Sequence, residues 1–261
     1  MKIVIKIGGA ALEDESTLHK CARAVVEIAK DGQRVAVVHG GGSALTRTLK
    51  LLGKQSDFIN GLRITDAETR DVALMVLGGM VNKKVVAAIV RAGLPAVGFC
   101  GGDGMAFRAR KKETQGYDLG FVGEICSVET RWVEAIWNAG GIPVLSSLAL
   151  GPDGEYYNVN ADHMASACAI ACHAGTLIFL TDVPGVKNAD GSIMPWLTAK
   201  QIPMLIADAV IGRGMLPKLE ACCHALKGGV GQVRILPAAQ AEMLPQFYFQ
   251  KLECGTEVVG A

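Results

Sequence analysis

Short, continuously apolar segments alternate with segments of helical periodicity along nearly the whole chain of 261 residues. The predicted strands are Lys2–Ile7, Arg34–Val38, Ala96–Phe99, Ile142–Ser146, Leu177–Leu180 and Gln232–Leu236. Strands that are apolar throughout and separated by helices are typical of a parallel sheet with both faces covered. The pattern therefore predicts an α/β fold, a three-layer αβα sandwich around a central, mainly parallel open sheet.

A second block of strands and helices begins near Gly175, and no linker rich in serine or proline precedes it. Domains of ~100–200 residues are common, so the length allows one large domain or two compact ones. We expect two lobes, residues 1–174 and 175–261, that share one continuous sheet and have a cleft between them.

The composition excludes several classes of partner. The formal net charge is +1, from 26 basic and 25 acidic residues. This charge lacks the strong positive excess that is typical of proteins that bind nucleic acid or a membrane surface. The apolar runs are far shorter than the ~20 residues of a membrane span, and Met1–Leu12 lacks the pattern of a signal peptide. The eight cysteines include no CxxC pair, so we expect reduced thiols in a cytoplasmic protein.

Two glycine-rich loops each follow a predicted strand and precede a helix, Gly8-Gly9 and Gly40-Gly41-Gly42. The carboxyl ends of parallel strands meet at the sheet edge where ligands bind, and glycines there let backbone N–H groups approach phosphate oxygens. Neither loop matches a Walker or dinucleotide fingerprint. The loops predict an anion site of another kind, and the alternative is that they only form tight turns. His39 is interpreted as a turn residue.

Two lysines stand where a cation is unfavourable without a partner. Lys6 lies inside the first buried strand, where an unpaired ammonium group is costly. Lys218 falls in the first turn of a predicted helix, the end that carries partial positive charge. We interpret both as point charges for a phosphoryl group. The alternatives are a lysine that extends from the strand end to water and an ordinary solvated lysine.

Further polar residues could complete such a site. Asn160 is a plausible N-cap, and Asp162 would then lie in the first helical turn, where the helix dipole favours a carboxylate. Asp162 could instead orient lysines that converge on a phosphate, and the N-cap does not account for Asn158. Arg63 lies in a loop before a helix and could bind a carboxylate bidentately. The alternative is an ordinary loop arginine that binds no ligand. The histidines and cysteines show no zinc-ligand spacing, so no metal site is expected.

Seven motifs in order along the chain resemble the amino acid kinase family, and its acetylglutamate kinases in particular. They are KIGGAAL (Lys6–Leu12), VVHGGG (Val37–Gly42), NGLRITDAET (Asn60–Thr69), DLGFVGE (Asp118–Glu124), YNVNAD (Tyr157–Asp162), LTDVPGV (Leu180–Val186) and GMLPKLEAC (Gly214–Cys222). Each motif alone is weak, whereas seven in family order over nearly the whole chain are specific. The resemblance implies the amino acid kinase fold, with the substrate in the first lobe and ATP in the second.

The resemblance implies a kinase that transfers the γ-phosphate of ATP to the side-chain carboxylate of N-acetyl-L-glutamate, the second step of arginine biosynthesis. It implies that two lysines and the aspartate that organises them are catalytic, namely Lys6, Lys218 and Asp162. The acylamino-acid site is expected at Gly41, Gly42, Arg63 and Asn158. The nucleotide is expected at Gly8, Gly9, Thr181, Asp182, Gly185, Val186, Lys187 and Gly212.

The residue types agree with this chemistry. A carboxylate acceptor has a pKa of ~4.3 and is already ionised at neutral pH, so the reaction needs no general base. Two anions must approach each other, which makes cations and amide dipoles the main requirement. Mg²⁺ is expected to arrive bound to the ATP phosphates, with few protein ligands.

The sequence leaves two alternative functions. The first is a kinase of a related acylamino acid such as N-acetylaminoadipate, which has one more methylene; a pocket discriminates between the two substrates by only ~1–3 kcal/mol. A catalytically silent nucleotide-binding regulator is disfavoured because both lysines and the aspartate are retained. Neither alternative changes the expected fold.

The longest predicted helical region, Ala67–Ala92 with an interruption at Gly78-Gly79, is the expected dimer interface. Its stretch Ala73–Met80 is apolar on several faces, and the alternative is a buried intrachain helix with a glycine kink. In the family, an extra helix before the first strand links dimers into arginine-inhibited hexameric rings. Because the first strand here begins at Lys2, we expect a homodimer that arginine does not inhibit.

Overall fold

The protein is described by a computed structural model that covers residues 1–207, 215–246 and 254–260. The strands are β1 (Lys2–Ile7), β2 (Arg34–His39), β3 (Phe58–Ile59), β4 (Leu62–Arg63), β5 (Ala96–Phe99), β6 (Phe107–Lys111), β7 (Val122–Val128), β8 (Ile142–Ser146), β9 (Leu148–Leu150), β10 (Tyr156–Val159), β11 (Thr176–Thr181), β12 (Trp196–Thr198), β13 (Gln232–Pro237) and β14 (Thr256–Val259). The α-helices are α1 (Gly9–Glu13), α2 (Glu15–Lys30), α3 (Gly42–Leu51), α4 (Ala67–Ala73), α5 (Asn82–Ala92), α6 (Arg131–Asn138), α7 (Ala161–Ala171), α8 (Ile202–Ala207) and α9 (Leu216–Lys227).

The central sheet runs in the order β12-β14-β13-β11-β1-β2-β8-β5. The neighbours from β13 to β5 pair in parallel, and β14 pairs antiparallel with β13. The sheet is therefore mixed but mainly parallel, as predicted. Pairing of β1 with β11 makes it continuous across the predicted lobe boundary, while the division at residues 174 and 175 stays a prediction.

Alternation along β1 explains the two helical layers. Ile3 and Ile5 lie in an apolar cluster that includes the buried faces of α2, α3 and α5. Val4 lies in a second cluster, with residues of α7 and α9. Successive side chains of a strand point to opposite faces of the sheet, so one strand contributes to both cores, and the three-layer αβα sandwich is confirmed.

Capping residues set the ends of the helices next to the sheet. The Asp14 carboxylate accepts the Thr17 N–H at 2.8 Å at the start of α2. The same helix ends at Asp31, followed by Gly32 with φ of +84°. Because glycine adopts positive φ without a Cβ clash, the predicted stop at Asp31-Gly32 is confirmed.

The region Ala67–Ala92 remains helical where an interruption was predicted. Between α4 and α5, the segment Leu74–Val81 forms a π-helix that contains Gly78 and Gly79. The glycines thus lie in a wider helical turn and do not break the helix, so the predicted interruption is wrong. By length and composition alone this helix could cross a membrane, although half of its most apolar window is buried inside the protein.

A small closed barrel of β10, β7, β6 and β9 lies beside the main sheet. Its β6 and β7 are the hairpin strands expected from the sequence, paired antiparallel with a register shift at Arg108/Ala109. The short β9 and β12 were not predicted. Thr198, the predicted start of a helix, ends β12, and its N–H and hydroxyl both donate to the Gln201 side chain at 2.9 Å.

Candidate active site

The carboxyl ends of four neighbouring parallel strands meet at one edge of the sheet. In register, Ile7 of β1 stands opposite Leu180 of β11 and His39 of β2, and His39 stands opposite Ser146 of β8. Both glycine loops leave the sheet at this edge. In open α/β sheets this edge is where ligands bind, so it is the first place to search for a site.

Lys6, Asp162 and Lys218 form a buried ion cluster at that edge. Lys6 Nζ lies 2.8 Å from Asp162 Oδ1. Lys218 Nζ lies 3.0 Å from Asp162 Oδ1 and 3.0 Å from Oδ2. All three residues are at most 8% exposed. The folded chain therefore brings both lysines into contact with Asp162, the residue expected to orient them.

The cluster keeps Asp162 ionised and leaves an excess of positive charge. Burial by itself would raise the pKa of Asp162, but the two ammonium groups overcome this and lower it to about 2. Burial and the neighbouring Lys6 lower the pKa of Lys218 from its usual value. Two cations share one carboxylate, so an approaching anion would meet net positive charge.

Two helix starts and a strand hold the cluster in place. The Asn160 side chain caps α7 by accepting the N–H groups of Asp162, at 2.9 Å, and His163, at 3.3 Å. The predicted N-cap is thus confirmed, and it fixes Asp162 in the first turn. Lys218 lies in the first turn of α9, with Nζ 5.0 Å from the centre of the Phe179 ring on β11.

A cavity of about 210 Å³ opens beside Lys6 and Asp162. Its polar lining includes Arg63, Asn158 and Ser147, and its apolar lining includes Phe58 and Leu77. The lining residues outside the ion cluster include Gly9, Gly41, Gly42, Leu45, Phe58, Leu62, Arg63, Leu77, Val122, Ser147 and Asn158. The structure thereby brings all four residues of the expected acylamino-acid site to one cavity.

Arg63 is held in that cavity wall by its own hydrogen bonds. Its Nη2 donates to the Gly42 carbonyl at 3.1 Å and to Thr46 Oγ1 at 2.7 Å, and its Nη1 donates to Ser56 Oγ. The guanidinium stacks 4.5 Å from the centre of the Phe58 ring. Arg63 thus links β4 to the start of α3, and nothing local in the sequence pointed to Thr46 or Ser56 as its partners.

The start of α3 offers unpaired amides to the cavity. Gly41 is its N-cap, and no described side chain caps this end. The φ of Gly41 is +145°, and a Cβ there would lie 2.7 Å from Leu77 Cδ2, so both conformation and space require glycine. Uncapped first-turn N–H groups and the helix dipole favour an anion at this point. Asn158 Nδ2 donates to Thr65 Oγ1 at 3.3 Å on the opposite wall.

The residues expected to hold the nucleotide divide into two groups. Gly9 lines the cavity, whereas the Gly8 N–H donates to the Leu180 carbonyl at 2.8 Å. The second group begins at Thr181, the last residue of β11. Thr181 Oγ1 donates to Asp182 Oδ1 at 3.0 Å, and the Val186 N–H donates to Thr256 Oγ1 at 2.8 Å. Lys187 forms an isolated antiparallel β-bridge with Ile193. Gly185 belongs to this stretch, and Gly212 lies outside the described residues.

The position of His39 in the fold differs from the prediction made from the sequence. It is the last residue of β2 and is fully buried, so its interpretation as a turn residue is wrong. Ser147 in the cavity wall was missed as well. Ser146 ends the otherwise apolar strand β8 and Ser147 directly follows it, and this pair of serines at the same sheet edge as the glycine loops is the signal that could have found it.

The site suits an anionic ligand and offers little to a metal ion. In the described part of the chain, no group of three or more His, Cys, Asp or Glu side chains is placed to hold a metal. Asp162 has both oxygens occupied by ammonium groups, so it is a poor ligand for Mg²⁺. A divalent ion at this site would have to be held by ligand oxygens, such as those of phosphates.

Known proteins with similar sequences and folds agree with this arrangement. Residues 1–237 match the amino acid kinase family. The acetylglutamate kinases of Acidobacterium capsulatum and Koribacter versatilis are 62% identical over all of both chains and 57% identical over 99% of each chain, respectively. The N-acetylglutamate synthase from Neisseria gonorrhoeae, complexed with coenzyme A and N-acetyl-glutamate, superposes with a TM-score of 0.88 at 26% identity, covering 99% of this chain and 59% of that one. This chain therefore belongs to the amino acid kinase family.

Proposed function

We propose that this protein is an ATP-dependent acetylglutamate kinase, which phosphorylates the side-chain carboxylate of N-acetyl-L-glutamate in arginine biosynthesis. The observation that carries the proposal is the buried cluster of Lys6, Asp162 and Lys218 beside a cavity that contains Arg63 and Asn158. Full-length identity of 62% to a relative named acetylglutamate kinase supports the same activity.

The reaction joins two anions. An oxygen of the substrate carboxylate attacks the γ-phosphorus, the bond from that phosphorus to the β,γ-bridging oxygen breaks, and ADP leaves with the electron pair. The products are N-acetylglutamyl 5-phosphate and ADP. No proton has to be removed, because the acceptor is already a carboxylate. The task of the protein is to bring the reactants together and offset their charge.

Each part of the site has a role in this proposal. Arg63 and Asn158, together with Gly41 and Gly42, bind the acylamino acid in the cavity. The Gly41 and Gly42 amides, like Lys6, also face the phosphoryl group that is transferred to its carboxylate. Lys218 stabilises charge that develops toward the leaving ADP, and Asp162 holds both ammonium groups at fixed positions. Preorganised cations and amide dipoles of this kind stabilise a transition state more than a ground state.

We assign the nucleotide to the second lobe, residues 175–261, along the stretch from Thr181, the last residue of β11, to Lys187. This stretch leaves the same sheet edge as β1, the strand of Lys6, because β11 and β1 pair in parallel. Mg²⁺ accompanies ATP on its phosphate oxygens and neutralises part of their charge. Substrate binding to the first lobe, residues 1–174, is the matching assignment.

The decisive experiment measures ADP release by the purified protein in a coupled assay with three acceptors. We expect turnover with N-acetylglutamate and none with glutamate, whose free ammonium group cannot replace the acetamide. N-acetylaminoadipate is the informative third acceptor, because it tests the alternative of a longer substrate. A higher kcat/KM for it than for N-acetylglutamate would make that homologue the substrate. No turnover with any acceptor would favour a catalytically silent regulator.

We further propose that the protein acts as a homodimer in the cytoplasm, joined through the region Ala67–Ala92. Its π-helical segment presents two large apolar side chains to solvent, Met75 at 62% and Met80 at 42% exposure, and exposed apolar surface of this kind occurs at protein–protein interfaces. The eight cysteines carry free thiols, as expected for a reducing compartment.

A further inference from the structure

His39 makes two hydrogen bonds that fix which of its ring nitrogens carries the proton. Its Nδ1 lies 2.8 Å from the carbonyl oxygen of Gly40, and its Nε2 lies 3.0 Å from Nδ2 of Asn82. The ring and the Asn82 side chain are both fully buried, at 0% exposure. Water therefore does not compete for either nitrogen.

The protons in this network can be assigned one by one. Asn82 Nδ2 also lies 3.0 Å from the Val144 carbonyl, an acceptor, so this atom must be the amide nitrogen and donates to both partners. Nε2 of His39 must then be an acceptor without a proton. Nδ1 faces a carbonyl and must be the donor. Burial lowers the pKa of His39 to about 4, so the ring is neutral at neutral pH and holds this single proton.

The acceptor of that proton is the first peptide of the glycine loop. The Gly40 N–H donates to the Ile7 carbonyl, at 3.4 Å, while its carbonyl is held by His39. In a planar trans peptide the carbonyl and the next N–H point in opposite directions. Holding the Gly40 carbonyl against His39 therefore turns the Gly41 N–H away from the ring. Gly40 and Gly41 line the cavity next to Lys6.

We infer that His39, locked by Asn82 in the tautomer with the proton on Nδ1, is a positioning residue that aims the Gly41 amide at the phosphoryl group being transferred. This inference rests on the proposed kinase function. The loop needs such a support because Gly41 has a φ of +145° and glycine backbones are conformationally free. An amide that is misdirected in the free enzyme would have to reorient during the reaction, which weakens its stabilisation of the transition state.

Two substitutions of His39 separate the donor from the acceptor. In His39→Asn the new amide nitrogen takes the place of Nδ1 and can still donate to the Gly40 carbonyl. In His39→Gln the new polar atoms lie near the place of Nε2, so contact with Asn82 is kept and the donor to Gly40 is lost. We expect kcat to fall on the order of 10²-fold in His39→Gln, with both KM values nearly unchanged, and to stay within ~10-fold in His39→Asn.

A spectroscopic measurement tests the tautomer independently of activity. In a long-range proton–nitrogen correlation spectrum of the nitrogen-15-labelled protein, His39 should show a protonated Nδ1 and an unprotonated Nε2 at neutral pH, with the signal identified by its loss in His39→Gln. A proton on Nε2, or equal loss of kcat in the two variants, would overturn the inference. Failure of the kinase assay by the unchanged protein would instead overturn the proposed function, and the tautomer would still be decided.

Discussion

Lys218 Nζ lies 3.0 Å from each carboxylate oxygen of Asp162, which joins the first turn of α9 to the first turn of α7. The helix dipole favours the aspartate at its position and disfavours the lysine at its own. The pair is buried, and Lys6 approaches the same carboxylate from β1 at 2.8 Å. An arrangement with two cations for one anion is costly in a folded core unless a further anion binds there.

Removing either cation should slow the chemical step. We expect Lys6→Met and Lys218→Met each to lower kcat on the order of 10²–10³-fold, because each ammonium group acts on charge that develops in the transition state. Lys2→Met is the matched control, because Lys2 lies on the same strand but outside the cluster. Its Nζ lies 2.6 Å from Glu134 Oε1. Steady-state kinetics would contradict the assignment if kcat of Lys6→Met equalled that of the control.

The Asp162 carboxylate should contribute to stability in a pH-dependent way. Its folded pKa of about 2 lies below the unfolded value of ~3.9, so its contribution is complete above that unfolded value and is lost as the pH falls through about 2. We expect Asp162→Asn to reduce the free energy of unfolding by about 3–5 kcal/mol at neutral pH, because two buried lysines lose their partner.

Urea unfolding of both proteins at two pH values measures this effect. The difference between the unchanged protein and Asp162→Asn should shrink by about 1 kcal/mol between about pH 5 and about pH 3, as the native carboxylate loses its advantage. A difference that stays constant over this range would show that the lysines do not hold the aspartate in its ionised form.

Arg63→Lys should raise KM for the acylamino acid and leave KM for ATP nearly unchanged. An ammonium group cannot reproduce the fork with which Arg63 reaches Gly42, Thr46 and Ser56 while facing the cavity. Arg47→Lys is the control, because Arg47 lies on the neighbouring helix and its exposed side chain pairs with Glu13. If KM for ATP rose instead, Arg63 would belong to the nucleotide site.

Two adjacent glycines should respond differently to the same change. Gly41→Ala places a Cβ 2.7 Å from Leu77 Cδ2 on a backbone with φ of +145°, so we expect a loss of ~1–3 kcal/mol in the free energy of unfolding. At Gly42 no described atom apart from its chain neighbours and the backbone of its own helix lies within 4 Å of a new Cβ, so Gly42→Ala should keep the urea midpoint of the unchanged protein. Equal midpoints for the two variants would contradict the packing of α3 against the π-helix.

Light scattering should give a mass of about 55 kDa, twice the 27.4 kDa of one chain. Met75→Glu should shift this mass to that of the monomer, because a carboxylate would be buried in the proposed interface. Met204→Glu is the control: Met204 is 69% exposed, compared with 62% for Met75, but lies on α8. A dimer that survives Met75→Glu would exclude this face as its interface.

Local sequence patterns were sufficient to predict most of the helices and strands and the kind of site. Apolar runs, helical periodicity and capping residues act over a few neighbouring residues, so β1, α2 and α7 were found to within a residue or two. The lysines and glycines of the loops indicated an anion site at one sheet edge for the same local reasons. Only the expected role of each residue in the site needed the resemblance to a family.

Which of these residues come into contact depends on the packing of distant parts of the chain. Lys218 and Asp162 are 56 residues apart in the chain, and their contact depends on how α7 packs against α9. The buried His39 has a hydrogen-bond partner in Asn82, 43 residues away in the chain, and the π-helical turn at Gly78-Gly79 occurs where a break was predicted. Such long-range contacts arise from packing and burial, which leave no local pattern, and a buried group takes its pKa and hydrogen bonds from whichever neighbours the fold brings to it.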